Sequence, residues 1–137
     1  MGMKRFIAAS FFSCLFNVCS YADDVWKLLA TSISFKTLDE STQTWSDWSS
    51  WESCSVLVVI NTDKERINIY SKTPQEYDIY DYDEATASTD GSTTYKFYCV
   101  DNDGLRCSIR LRTFSDGGMQ LYIDYSNILV VYTLEEK

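Results

Sequence analysis

The feature that most constrains this chain is a rhythm. Runs rich in Val, Ile, Tyr and Phe recur about every ten to fourteen residues, separated by polar clusters or Asp-Gly pairs. They span 25–36, 55–61, 66–72, 77–82, 95–101, 105–113, 119–124 and 128–134. None repeats at helical spacing. Asp90-Gly91, Asp103-Gly104 and Asp116-Gly117-Gly118 supply residues that tolerate positive φ where strands reverse. The pattern predicts an all-β fold, a small antiparallel meander of about eight strands. Such a sheet hides its edges by closing, or nearly closing, into a barrel; a two-sheet sandwich is the alternative.

One hairpin can be registered from the letters alone. In YKFYCVDNDGLRCSIRLR, a three-residue loop Asn102-Asp103-Gly104 with Gly104 left-handed sets Asp101 against Leu105 and Cys99 against Cys107. Tyr95, Phe97, Cys99, Leu105, Cys107, Ile109 and Leu111 then share one face, and Lys96, Tyr98, Arg106, Ser108, Arg110 and Arg112 the other. In an oxidising compartment this register predicts a Cys99–Cys107 disulfide. Cys54 is left as a small buried hydrophobe, with its pairing to either partner open on sequence grounds. Phe97, Ile109 and Leu111 are large for inward positions and predict a filled barrel. The 55–61 run is apolar on both faces, so its outer side calls for a cover, and the tryptophan-rich segment before it is the candidate.

An oxidising location follows from the first residues. Lys4 and Arg5 precede an apolar run from Phe6 to Val18, and Ser20-Tyr21-Ala22 offers small residues at the positions signal peptidase reads. Residues 1–22 are predicted to be an export signal and 23–137 a single β domain, secreted or periplasmic. Acylation at Cys19 is the alternative, poorly matched by Phe16 and Val18. Without the signal the chain carries 10 basic and 20 acidic residues, which argues against nucleic acid or an anionic membrane as partner. No segment approaches the roughly 20 apolar residues of a membrane span. Histidine is absent, which removes most hydrolase triads and most zinc or copper sites. No catalytic residue, metal ligand or cofactor is assigned. Asp101-Asn102-Asp103-Gly104 has its glycine too early for an EF-hand loop and reads as a turn.

The segment TWSDWSSWESCS sets Trp45, Trp48 and Trp51 three residues apart. It resembles the opening strand of thrombospondin type 1 repeats, yet Val58 stands where that family has its next cysteine. Trp45-Ser46-Asp47-Trp48-Ser49 also resembles the WSxWS box of class I cytokine receptors, which lies near the end of its domain rather than the start. Both are treated as similarities of composition. Spacing by three suits a polyproline-II-like strand whose indoles stack with cations, and Arg106, Arg110 and Arg112 are the predicted partners. A short helix over 44–52, with Thr44 and Asp47 as a capping pair, is the competing reading.

Trp45, Trp48 and Trp51, with Tyr77, Tyr80 and Tyr82 of the acidic stretch EYDIYDYDEA, are the candidate binding residues. Indoles pack against sugar rings while acids and hydroxyls bind hydroxyl groups. The same aromatics serve equally as core, or as anchors on a solvated edge strand. Over most of its length, through RINIYSKTPQEYDI, CVDNDGLRCSI and QLYIDYSN, the chain is similar to small exported proteins of gut Bacteroidetes, some with compact lipocalin-like barrels. That resemblance implies location and fold class and transfers no site residue. The expected function is non-catalytic binding of a small molecule or glycan. The alternative is a protein–protein module, an inhibitor or cell-envelope accessory protein, anchored by exposed Trp and Tyr.

Overall fold

A computed structural model describes residues 25–137. The predicted export signal, residues 1–22, and Cys19 lie outside the described residues. The described chain is all β. Its strands are β1 (Val25–Asp39), β2 (Thr44–Trp45), β3 (Glu52–Asn61), β4 (Arg66–Tyr70), β5 (Gln75–Tyr82), β6 (Thr86–Ala87), β7 (Ser92–Val100), β8 (Arg106–Phe114), β9 (Met119–Asp124) and β10 (Ile128–Glu136). Eight of these run in sequence order as an antiparallel meander, and β10 pairs back onto β1 to close the barrel. The two-residue strands β2 and β6 are additions, on β1 and β7. All eight predicted runs are staves of this barrel.

Closure works because each stave alternates apolar and polar residues at the period of a strand. Trp26, Leu28, Val58, Ile60, Ile67, Ile69, Phe97, Ile109, Leu111 and Leu121 point inward and are buried in one continuous core. Phe97, Ile109 and Leu111 fill the middle as their size predicted. On the outer face of β3 Leu57 and Val59 are partly buried, and the tryptophan segment expected to cover them lies against β1 instead. β1 has a bulge at Thr31, where the register shifts against both neighbours. Beyond it Ile33 packs against the core and Ser34 turns outward.

The β7–β8 hairpin has the expected register, with Cys99 opposite Cys107 and Gly104 at φ 83°. The Asp101 N–H donates to the Leu105 carbonyl at 2.9 Å. The predicted disulfide is nevertheless absent: Cys54, Cys99 and Cys107 are all free thiols. Parity explains it. Since 101/105 is a hydrogen-bonded pair, 99/107, two residues along, is one too, and such pairs hold their Cβ atoms toward the wide end of roughly 4.5–5.5 Å. A disulfide needs about 3.8 Å. Both thiols instead serve as small hydrophobic side chains of the core. Cys54 is partly buried against the same core, its Sγ 3.6 Å from the Ala30 carbonyl oxygen.

Candidate functional site

β1, β4, β7 and β9 all run upward and β3, β5, β8 and β10 downward. The β4–β5, β7–β8 and β9–β10 loops therefore meet at one end of the barrel, the upper mouth. There the filled core stops short and leaves a cavity of about 510 Å³. Its walls are Ile33, Ile123, Ile128 and Val130, together with Pro74 of the β4–β5 loop. Its polar groups come from three loops: Gln75 at the start of β5, Asp101 and Asp103 of the hairpin turn, and Tyr125 just after β9. Tyr77 and Tyr132 complete it from below.

These groups form one network. The Tyr77 hydroxyl donates to Gln75 Oε1 at 2.5 Å, and the Tyr125 hydroxyl donates to Asp101 Oδ2 at 2.6 Å. Gln75 Nε2 also donates to Ser71 Oγ at 3.0 Å, and the Tyr77 and Tyr125 phenols influence each other electrostatically. Asp101 Oδ1 accepts the N–H groups of Asp103 and Leu105, both at 2.9 Å, so this carboxylate shapes the turn as well as the mouth. The Tyr125 hydrogen bond holds the Asp101 carboxyl below its ordinary range. Burial raises the Tyr77, Tyr125 and Tyr132 phenols and pushes the nearby Cys107 thiol up to about 11. At neutral pH the mouth therefore holds ionised aspartate beside neutral phenols. Among the described residues, no cluster of acids and cysteines converges in a way that would hold a metal ion. No helix among them is long and apolar enough to cross a membrane.

The tryptophan segment forms a second feature, outside the barrel. The competing helix is not formed: Thr44 and Trp45 pair with β1, Glu52 begins β3, and 46–51 is extended chain outside any regular element. This segment follows the edge of β1 where β3 has left off, six residues set against the four of 34–37. Its serines stand in for the missing ladder. Ser46 and Ser49 accept through Oγ from the N–H groups of Thr37 and Phe35, both at 3.0 Å, while their own N–H groups donate to the same residues' carbonyls at 2.8 Å. Ser34 Oγ donates to the Ser49 carbonyl at 2.7 Å. Three segment residues are thus matched to two strand residues, which coils the segment and throws its indoles outward.

Trp48 lies back over the barrel, 4.9 Å from Lys36 Nζ and edge-on to Tyr122 of β9 with centroids 6.5 Å apart. Lys36 also lies 5.9 Å from the Trp45 ring, and the Arg110 guanidinium covers Tyr122 at 4.3 Å while gripping Asp124 with two hydrogen bonds. The cation between the indoles is therefore lysine, and Arg110 joins through a tyrosine. Arg106 covers Tyr80 and Arg112 covers Phe114 instead. Val131 sits in the outward row between Ser34 and Tyr122, yet is only 3% exposed. With the segment touching both of its neighbours, Val131 is roofed over.

The six candidate aromatics do not share a surface. Trp45, Trp48 and Trp51 stand 43%, 42% and 51% exposed beside β1. Tyr77 lies inside, at the mouth; Tyr80 is exposed on the far wall against Tyr98; and Tyr82 packs against the lower core. A register shift between Ile79 and Asp81 separates the last two. Sequence reasoning passed over Gln75, Asp101, Tyr125 and Tyr132 as mouth residues. The available signal was that every upper loop carries a tyrosine, an amide or an acid directly beside an inward apolar position.

Fold and site together define an up-and-down eight-stranded barrel with a packed middle and a polar-lipped upper mouth. No family model, curated protein or solved structure matches the chain.

Proposed function

We propose that this domain is a non-catalytic binding module that acts outside the cytoplasm and holds a small molecule in the upper mouth of its barrel. The observation that carries this reading is the mouth itself. A hollow of about 510 Å³ lies within the range of small-ligand pockets and combines an apolar wall with a few converging polar groups. A hollow of about 460 Å³ at the opposite end, beside Phe114, Met119 and Glu136, has no comparable network.

Native mass spectrometry of the protein as isolated, compared with the same sample denatured, tests the reading. A discrete small mass released on denaturation, and absent from Val130→Trp protein, is the expected result. A bare mass in the native state, with no added compound retained, counts against it.

A second reading, a protein or glycan platform, is favoured by the exposure of Trp45, Trp48 and Trp51 along one stripe. It predicts that a partner complex or bound oligosaccharide weakens at least tenfold in Trp51→Ala and is indifferent to Val130→Trp. The reverse dependence would exclude it.

A further inference from the structure

The mouth carries neutral donors in the Thr73 hydroxyl, the Asn102 amide and the Tyr132 hydroxyl, but its only charges are the two carboxylates of Asp101 and Asp103. A phenol has one hydrogen to give and lone pairs to receive. The hydrogens of Tyr77 and Tyr125 are committed to Gln75 and Asp101, so both oxygens turn lone pairs toward any occupant. Asp101 Oδ2 accepts from Tyr125 and retains further acceptor capacity, and Asp103 stands exposed on the same lip. None of the residues lining the hollow is basic. An anionic ligand would meet two carboxylates and no basic side chain, and like charges repel. A neutral alcohol donates a single hydrogen. An ammonium group donates two or three and also balances the aspartate, and charge-assisted bonds of this kind are roughly twice as strong as neutral ones.

We infer that the upper mouth takes a small organic cation, a primary or secondary amine on an apolar body, with its N–H groups on Asp101 and Tyr125 and its hydrocarbon against Ile123 and Val130. This rests on the pocket reading above and names the class of molecule the pocket selects.

Isothermal titration of the full domain with three compounds of matched shape tests it: phenethylamine, phenethyl alcohol and hydrocinnamate. The amine should bind at least tenfold tighter than the alcohol, and hydrocinnamate weakest. Asp101→Asn should weaken the amine at least several-fold more than it weakens the alcohol, closing the gap between them. Because Asp101 also holds the 102–104 turn, Asp103→Asn provides a second variant on an exposed residue, with a several-fold loss expected for the amine alone. Equal binding of amine and alcohol would overturn the charge preference and leave the pocket standing. Amine binding that survives Val130→Trp would place the site elsewhere and overturn the inference. Failure of all three compounds to bind overturns it too, and the native mass spectrum then decides separately whether the pocket reading survives.

Discussion

Cys99 and Cys107 show how much depends on which kind of cross-strand pair two residues occupy. They face each other in register; had both cysteines stood one position along, at 98 and 108, they would have formed the closer, non-hydrogen-bonded kind of pair. Folded protein purified in air should therefore have the mass of the fully reduced chain. A mass short by two hydrogens, traced to the Cys99 and Cys107 peptides, would refute this. The same burial fixes the alkaline behaviour. The ordinary values are 9.0 for a thiol and 10.0 for a phenol, and Cys99, Cys107, Tyr77, Tyr125 and Tyr132 are all raised above them by desolvation. A raised acid holds its proton more tightly folded than unfolded. Its contribution is fully present below the unfolded value and is lost as pH rises toward the folded one. Melting temperature should thus hold up to about pH 9 and fall steadily above it. Tyr125→Phe, which cannot ionise, should flatten part of that fall; an unchanged slope would remove Tyr125 from the explanation.

The tryptophan segment is best understood as an element in its own right. Its serines replace a run of strand pairing, and its indoles roof an apolar residue that would otherwise face water. Ser49 makes the larger contribution, since its hydroxyl accepts from the Phe35 N–H and lies 3.2 Å from Ser34 Oγ. Ser49→Ala should cost about 1–2 kcal/mol, from the lost bonds and the unsatisfied amide. It should also red-shift tryptophan emission as the segment loosens, and a neutral result in both measurements would deny the segment its ladder role. Arg110 acts at one remove, through Tyr122. Arg110→Ala should change emission less than Lys36→Ala, because only Lys36 touches the indoles, and the opposite order would contradict the geometry.

At the scale of the whole molecule, what distinguishes this domain is that the meander closes. β1 is paired to β10 over nine positions and to β3 over eight, so the closing seam is continuous, and on the β3 side β1 is left unpaired only where it passes the end of β3. That short exposed length is where the serine segment lies. Amides in the β1–β10 pairing should exchange with solvent as slowly as those between β7 and β8, opening only with global unfolding. Faster exchange confined to β1 and β10 would mean that the barrel opens at this seam.

Much of this architecture is legible in the sequence because alternation of apolar and polar residues, broken by turn-forming Asp-Gly pairs, is a local signal. The eight staves, the hairpin register at Asp101 and Leu105, and the inward positions of Phe97, Ile109 and Leu111 follow from it. So do the acidic balance and the lack of histidine, properties of composition that no fold alters. Tertiary structure decided everything that depends on residues remote in the chain. It brought Gln75, Asp101, Tyr125 and Tyr132 to one mouth and carried Tyr77 inside while leaving Tyr80 on the far wall. It also placed Lys36 rather than an arginine between the indoles. These meetings depend on strand tilt, on the bulge at Thr31 and on closure of β10 against β1, and a one-dimensional period carries no information about any of them.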